Sequence, residues 1–183
     1  MNPKRLVHVS KFLSRHLRHA PADIGLSLRP GGWVAVNDLL AGCQRAGLPL
    51  TRGDLEEVVA TNDKQRFAFD DTGEKIRANQ GHSVEVDLQL QPTTPPDVLY
   101  HGTSTNTVGE ILKTGLKRMR RHHVHLSAAV PTAEKVGSRH GRPAVLVVDA
   151  AAMRRDGLEF YRSANGVWLV EEVPPTYLRL LGE

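Results

Sequence analysis

Residues 91–96 of the chain read QPTTPP, with three prolines in six positions and no aliphatic or aromatic side chain. Proline holds φ near one value and lacks an amide hydrogen, so such a run favours a stiff linker over a helix or strand. The run predicts a boundary between two lobes, residues 1–91 and residues 92–183. Each lobe, at roughly 90 residues, is large enough to have its own core.

The first lobe has the element order of a winged helix. Pro21 disfavours a helical Ala20, so the first helix should end near Arg18. Asn37 is the expected N-cap of the second helix, and Thr51 with Asp54 resembles a capping box for the third. The predicted order is a helix to 18–19, a strand over 33–36, helices over 38–46 and 51–60, and a hairpin over 64–69 and 74–78.

The second lobe reads as a small mixed lobe that is rich in strands. Its apolar segments are short, and turn residues such as Asn165-Gly166 separate them. Strands are expected over 98–100, 123–127, 144–148, 158–161, 166–170 and 177–181, and helices over 107–113 and 131–136. The two lobes together predict an α/β protein of the α+β type.

Composition excludes several classes of protein. Cys43 is the single cysteine of the 183 residues, which rules out an internal disulfide framework and a cysteine-rich zinc site. The longest uninterrupted apolar run, residues 144–148, is far shorter than a membrane span. No apolar segment follows the basic N-terminal residues, so we expect no signal peptide, no membrane association and a cytoplasmic protein.

Positive charge is concentrated in one segment. The net charge is +4, and no acidic residue lies between Glu110 and Glu134. That interval holds five lysine or arginine residues and three histidines: Lys113, Lys117, Arg118, Arg120, Arg121, His122, His123 and His125. Such a patch attracts phosphate groups, although a solvated basic surface is the simpler interpretation of composition alone.

Three segments of the first lobe could carry chemistry. Arg18 and His19 pair a phosphate-binding side chain with one that moves protons near neutral pH, although cations also suit the end of a helix. Arg66 should point away from the apolar side of the hairpin, as a ligand-binding or merely exposed arginine. The block 76–83, IRANQGHS, offers groups that bind phosphate and sugar oxygens, or forms an ordinary polar loop.

Two segments of the second lobe stand out. His101-Gly102-Thr103 lies at the predicted junction of a strand and a loop, where Gly102 would permit a ligand to approach the backbone, unless it is an ordinary turn. In the next strand His123, His125 and Ser127 share a face. Zinc binding by the histidines is an alternative, but the neighbouring arginines fit a phosphate or nucleotide surface better.

These segments follow one another in a characteristic order along most of the chain. In that order the chain closely resembles the RNA 2′-phosphotransferase family, called Tpt1 in fungi and KptA in bacteria, over roughly residues 6–180. The segments are LRH (17–19), GWV (32–34), DLL (38–40), KQRF (64–67), IRANQGHS (76–83), YHGT (100–103), Arg121 with HVHLS (123–127), and SANGVW (163–168).

The resemblance implies a winged-helix-like N-terminal lobe that binds RNA and a C-terminal lobe similar to ADP-ribosyltransferases that binds NAD. The family removes an internal 2′-phosphate from RNA. That phosphate attacks C1″ of NAD⁺ and expels nicotinamide, which forms an ADP-ribosylated RNA. The ribose 2″-hydroxyl then attacks the phosphate and releases 2′-OH RNA and ADP-ribose 1″,2″-cyclic phosphate.

The family's motifs place its functional residues on positions of this sequence. The resemblance implies the catalytic residues Arg18, His19, Arg66 and Arg121. It implies the NAD-binding residues His101, Gly102, Thr103, His125 and Ser127, and no metal. Arg15-His16 repeats the Arg-His pair, but Leu17 precedes the catalytic pair in the family, which selects Arg18-His19.

Partners follow from the same resemblance. We expect an RNA with an internal 2′-phosphate, such as a tRNA from splicing, NAD as co-substrate, and a monomeric enzyme. Two alternatives stay open from the sequence. One is an ADP-ribosyltransferase that modifies nucleic-acid ends or protein and stops after the first step, and the other is a non-catalytic RNA-binding winged-helix protein.

Overall fold

The chain folds as two units, Met1–Gln89 and Leu90–Glu183, in a computed structural model that describes residues 1–183. The proline run thus lies just inside the second unit. Pro92 forms a β-bridge with Tyr161, and the Thr93 amide donates a hydrogen bond to the Phe160 carbonyl oxygen at 2.7 Å. None of the helices is long and apolar enough to cross a membrane.

The first unit contains three helices and one small antiparallel sheet of strand order β1-β3-β2. The hairpin of β2 and β3 pairs Phe67 with Ala78 and Phe69 with Ile76. Short 3₁₀ turns occupy Pro21–Ile24 and Pro30–Gly32. The elements are α1 (Pro3–Arg18), β1 (Val34–Ala35), α2 (Val36–Arg45), α3 (Arg52–Thr61), β2 (Phe67–Phe69) and β3 (Lys75–Ala78).

Helix α1 ends where the sequence predicted. Its N-cap is Asn2, whose side-chain oxygen accepts a hydrogen bond from the Arg5 amide at 2.8 Å. The apolar stripe of Val9, Leu13 and Leu17 is fully buried in the core of the first unit. This burial orients the helix, so that Arg18 and His19 follow the last buried turn.

The local sequence predicted the start of α3 correctly but not the start of α2. The capping box of α3 is confirmed: Thr51 and Asp54 cap each other's amides, and these bonds lower the pKa of Asp54. The prediction for α2 was wrong, because the helix begins at Val36 and Asn37 is not its cap. The Val36 amide instead donates to the Glu74 carbonyl oxygen of the hairpin at 2.9 Å, a tertiary contact that replaces a capping side chain.

Cys43 belongs to the core of the first unit. Its side chain is fully buried, and burial raises the pKa of its thiol to about 11. At neutral pH the thiol therefore stays protonated, and Cys43 acts as a small apolar side chain.

The second unit is built from short antiparallel strands with helices packed against them. Its strands form the orders β11-β7-β4, β6-β9-β8 and β10-β5. The elements are β4 (Val98–Ser104), α4 (Thr105–Thr114), β5 (Leu116–Lys117), β6 (Val124–Leu126), α5 (Val130–Gly137), β7 (Pro143–Asp149), α6 (Ala150–Arg155), β8 (Tyr161–Arg162), β9 (Trp168–Val170), β10 (Glu172–Val173) and β11 (Leu178–Leu180).

One β-bridge links the two three-stranded sheets of this unit. Tyr100 in β4 and Ser127 just after β6 exchange both amide-to-carbonyl hydrogen bonds, each at 2.8 Å. The bridge sets β4 beside the end of β6. His101 and His125, which lie within two residues of the bridge in the sequence, are therefore brought together.

The structure corrects the sequence reading of the second unit in several places. The strand predicted over 158–161 begins only at Tyr161, and β5 and β10 were not predicted. His101-Gly102-Thr103 is not a junction of strand and loop, because β4 continues through Ser104 and pairs with β7 along its whole length. Helix α6 was not predicted; it begins after Asp149, whose carboxylate accepts the Ala152 amide at 2.9 Å. The mixture of helices and antiparallel sheets confirms the α/β class, while the winged-helix-like and ADP-ribosyltransferase-like descriptions stay predictions.

Candidate active site

Three of the four residues predicted to be catalytic line one cleft in the first unit. The cleft has a volume of about 550 Å³, and its walls come from α1, α3 and the segment 62–66. Arg18, His19 and Arg66 all contribute to it. The Nε and Nη2 atoms of Arg18 are buried, so the guanidinium is held in place by the surrounding protein. The cleft thus combines three guanidinium groups, those of Arg15, Arg18 and Arg66, with one imidazole, and Lys11 and Asp63 also line it.

The two Arg-His pairs of α1 differ in the burial of their histidines. His16 is 6% exposed, its Nδ1 donates to the Ala20 carbonyl oxygen at 3.0 Å, and its ring packs on Phe12. Arg15 forms an exposed ion pair with Asp23 at 3.3 Å. His19, by contrast, is exposed at the cleft. His16 therefore belongs to the packing of the fold, whereas Arg15 lines the same cleft as Arg18. The choice of Arg18 and His19 as the catalytic pair stays a prediction.

Arg66 is anchored by an amide rather than by a carboxylate. Its Nη1 donates to the Asn62 side-chain oxygen at 3.3 Å, and that oxygen also accepts the Arg66 amide. Asn62 is held in turn by a bond of 3.1 Å from its Nδ2 to the Ser10 hydroxyl. Because no acidic side chain pairs with Arg66, its positive charge is available to an anion. Sequence reasoning missed Asn62, since it is simply the residue that ends α3.

The block 76–83 connects the residues of the cleft. The Asn79 amide donates to the Arg66 carbonyl oxygen at 2.9 Å, and the Ser83 amide donates to that of Arg18 at the same distance. The Ser83 hydroxyl also lies 2.8 Å from Nδ1 of His19. The block was interpreted as a candidate phosphate-binding loop, but these groups bind the protein itself. Their contacts position the segments that carry Arg18, His19 and Arg66.

Arg77 of the same block has a structural role as well. Its guanidinium lies over the Trp33 ring, 4.4 Å from the centroid, and Nη1 donates to the Gly31 carbonyl oxygen at 3.2 Å. Burial lowers the pKa of Arg77, although an arginine remains charged at neutral pH. This stacking joins β3 to the turn at Pro30–Gly32.

In the second unit, three residues predicted for NAD or catalysis form a hydrogen-bonded chain. His101 Nδ1 lies 3.0 Å from the His125 carbonyl oxygen, which can only accept, so Nδ1 of His101 carries the hydrogen. Arg121 Nη1 lies 3.2 Å from Nδ1 of His125, and the guanidinium can only donate. When His125 is neutral, its hydrogen is therefore on Nε2. The two imidazoles thus present opposite groups at Nε2, an acceptor on His101 and a donor on His125.

His101 makes stability depend on pH. Burial lowers its pKa, the bond to His125 opposes that shift, and the charge of Arg121 adds to it. A histidine whose folded pKa lies below its unfolded value of about 6.5 binds fewer protons when folded, so stability is lost as pH falls below that value. We expect His101→Asn, which keeps a hydrogen donor, to lose less stability between pH 7.5 and pH 5.5 than the parent. Urea unfolding at both values measures this, and equal losses would contradict it.

Gly102 and Thr103 meet protein rather than open space. A Cβ at Gly102 would lie 1.7 Å from the Ala133 carbonyl oxygen, so the glycine permits α5 to approach β4. Gly102 was expected to let a ligand approach the backbone, but the group that approaches it is the backbone of α5. Thr103 shares a hydrogen bond of 2.7 Å with the Thr107 hydroxyl at the start of α4. Ser127 contributes its backbone to the bridge with Tyr100.

The three neighbouring histidines do not form a metal-ligand cluster. No group of three or more histidine, cysteine or acidic side chains comes together in the structure. The His123 ring packs on Tyr161 at 5.5 Å between centroids, and burial, together with nearby cations, lowers its pKa. His125 is engaged by Arg121. The zinc alternative therefore has no support from the arrangement of these side chains.

The basic run is partly neutralised within the second unit. Lys117 pairs with Glu172 at 2.6 Å, whereas Arg121 is bonded to the imidazole of His125 and keeps its net charge. Arg118 and Arg120 are exposed and form no ion pair. Between them Met119 is 84% exposed at a positive φ of 55°, in a turn closed by a bond from the Arg121 amide to the Arg118 carbonyl oxygen. Two free cations thus lie close in sequence to Arg121.

Comparison with known proteins shows the class to which this fold and these residues belong. Residues 4–172 match the profile described as RNA 2′-phosphotransferase, Tpt1 / KptA family. A protein from Trichormus variabilis named "Probable RNA 2′-phosphotransferase" is 59% identical to this chain, over 99% of this chain and 100% of its own length. A protein of the same name from Nostoc punctiforme is 58% identical over 98% of this chain and 99% of its own length. A protein of the same name from Streptomyces coelicolor is 55% identical over 98% of this chain and 97% of its own. The chain belongs to the RNA 2′-phosphotransferase Tpt1/KptA family.

Proposed function

We propose that this chain is an NAD-dependent RNA 2′-phosphotransferase. It transfers an internal 2′-phosphate of RNA to NAD⁺ by way of an ADP-ribosylated RNA, and releases nicotinamide, 2′-OH RNA and ADP-ribose 1″,2″-cyclic phosphate. The observation that carries the phosphotransferase activity is the 59% identity, over nearly the whole chain, to a relative named "Probable RNA 2′-phosphotransferase". The use of NAD⁺ and the ADP-ribosylated intermediate are proposed from the resemblance to the family. The cleft that contains Arg18, His19 and Arg66 supports it independently, because its charges suit a phosphate.

The cleft of the first unit is assigned to the RNA phosphate. Arginine binds phosphate through two parallel N–H donors, and the Arg18 and Arg66 guanidiniums line one cavity. Fixed positive charges stabilise the negative charge that develops on a transferring phosphoryl group. His19, exposed at the same cleft, can take up or release a proton near neutral pH. This set binds the anion and moves a proton without a metal ion.

The NAD-binding role is assigned to the second unit, whose donor set fits a dinucleotide. A dinucleotide presents a negative pyrophosphate and ribose hydroxyls. Arg121 offers a guanidinium, Thr103 and Thr107 offer hydroxyls, and the two imidazoles offer one acceptor and one donor. Bound NAD⁺ would supply a ribosyl carbon whose nicotinamide is a good leaving group. Arg121 would orient and stabilise the phosphate, and the lowered pKa of His101 would keep that ring neutral.

Product analysis tests the proposal directly. A short RNA with one internal 2′-phosphate is incubated with the protein, with and without NAD⁺, and the RNA and nucleotide products are identified by mass. We expect NAD⁺-dependent formation of 2′-OH RNA and the cyclic phosphate. A persistent ADP-ribosyl adduct would instead identify a transferase that stops after the first step. Binding without loss of phosphate would identify an RNA-binding module, and either result would overturn the proposal.

A further inference from the structure

The cleft of the first unit extends along α1, beyond the residues assigned to the RNA phosphate. Lys11 and Arg15 line it together with Arg18. Residues that are three or four positions apart are neighbours on one face of a helix, so these three side chains follow the same face. At a rise of about 1.5 Å per residue, they span roughly 10 Å along the helix axis. The positive charge of the cleft is therefore a stripe along α1 and not a single point.

The charge of Lys11 is not neutralised by the fold. Its side chain is exposed, and its ammonium group forms no ion pair. Asp63 is the one carboxylate among the residues that line the cleft, against one lysine and three arginines. A concave surface with such an excess of permanent cations attracts a ligand that carries several negative charges.

Arg15 has an acidic partner that a ligand can replace. Its Nη2 lies 3.3 Å from a carboxylate oxygen of Asp23, and the two side chains are 68% and 52% exposed. Exposed ion pairs of this kind contribute little to stability, because water and salt screen them. A phosphate can therefore replace Asp23 with little loss, and the paired N–H donors of Arg15 match its oxygens.

The uncharged side chains of the stripe suit a nucleotide strand better than a peptide of acidic residues. Val7, which is 53% exposed, precedes Lys11 by one turn and lines the cleft, as does Ser14. Hydroxyl groups bind phosphate and sugar oxygens, and an apolar side chain offers a surface to a sugar or a base. Proteins hold single-stranded nucleic acid in positively charged grooves that follow its backbone.

We propose that Lys11 and Arg15 bind backbone phosphates of the RNA on one side of its 2′-phosphate, so that this strand runs along α1 from Arg18 towards the helix N-terminus. The span of roughly 10 Å fits about three nucleotides at the rise of about 3.4 Å of one stacked strand. The proposal rests on the proposed function, because that function supplies the RNA. Strand binding requires neither NAD⁺ nor turnover, so it can be tested separately.

Affinity for three short RNAs, measured by calorimetry without NAD⁺, locates these contacts. One RNA is a dinucleotide with a single 2′-phosphate, and the other two extend it by three nucleotides on the 5′ or on the 3′ side. We expect one of the two extensions to raise the affinity of the parent. Lys11→Ala and Arg15→Ala should each lower the affinity for that extended RNA about fivefold at about 0.1 M salt, because one phosphate contact on a single strand contributes about 0.7 to the salt slope. Affinity for the dinucleotide should not change.

Matched variants separate the stripe from the overall charge. Lys75→Ala removes an exposed lysine of β3 that does not line the cleft, so it should bind all three RNAs like the parent. Asp23→Asn removes the competing partner of Arg15 and should raise the affinity for the same extended RNA. Asp71→Asn, which removes an exposed carboxylate in the turn between β2 and β3, should not.

Several outcomes would overturn the proposal. These are parent-like binding of the extended RNA by both Lys11→Ala and Arg15→Ala, an equal loss for both extensions or for the dinucleotide, an equal loss in Lys75→Ala, and no gain from either extension in the parent. Tighter binding of polyglutamate than of the extended RNA would identify an acidic protein segment as the ligand instead. If the expected affinities are found but the parent transfers no phosphate, the proposed function is rejected and the strand contacts stand.

Discussion

Replacing either Arg66 or Arg121 by alanine is expected to lower completed phosphotransfer by 100-fold or more. Removal of one fixed donor from a site that stabilises developing charge costs about 100- to 1000-fold in rate. Arg66 offers a guanidinium that no carboxylate neutralises, and Arg121 is bonded to a histidine rather than to an acid. If the second chemical step suffers most, an ADP-ribosylated RNA accumulates, and product analysis by mass detects it.

A matched control separates this effect from a general loss of positive charge. Arg154 and Arg155 are exposed at the end of α6 in the second unit, far in sequence from every predicted site residue. Arg154→Ala should keep the activity of the parent, while Arg66→Lys and Arg121→Lys should recover part of it, because lysine keeps the charge but not the paired donors. Parent-like turnover in both alanine variants would reject the assignment of these arginines.

Gly102→Ala is expected to have the largest effect on stability. The added Cβ would lie 1.7 Å from the Ala133 carbonyl oxygen and 2.9 Å from the Gly137 amide nitrogen. Both neighbours are backbone atoms of α5, which can move only if the helix leaves the strand. Overpacking commonly costs 1–3 kcal/mol and sometimes more, so we expect a loss of about 3 kcal/mol or more in the free energy of unfolding, measured in denaturant.

Gly109 provides the control for this substitution. It lies in the exposed middle of α4, and a Cβ there would meet no atom within 4 Å. Gly109→Ala should therefore stabilise the protein by roughly 0.5–1 kcal/mol, because alanine costs less conformational entropy in a helix than glycine. If both variants unfold at the same denaturant concentration as the parent, the packing of α5 on β4 at Gly102 is not as described.

Predictions from the sequence succeeded where the deciding interactions are local. Helix α3 needs only Thr51 and Asp54, which cap each other within one turn. The end of α1 follows from Pro21, since proline restricts the residue before it. The resemblance to the family was equally accessible, because the order of short motifs is a property of the chain itself, and the comparisons confirmed it.

Roles that depend on distant segments were not accessible in this way. The start of α2 at Val36 depends on the Glu74 carbonyl oxygen of the hairpin, and no residue near Val36 in the sequence indicates it. Asn62 orients Arg66 through its side-chain oxygen, yet as a residue it is an ordinary helix end. Both roles depend on a hydrogen-bond partner, a backbone carbonyl in one case and a side-chain amide in the other, that is identified only from the folded structure.

The amino-acid order alone was therefore enough to establish the α/β class, the family and the list of candidate residues, because these depend on local spacing and on motifs. The folded chain shows which of these residues come together: Arg18, His19 and Arg66 line one cleft, which Arg15 also lines, while His16 and Arg77 stabilise the fold. Chemically similar side chains acquire different roles because burial and hydrogen-bond partners, which form only when distant segments pack, determine which groups remain available to a ligand.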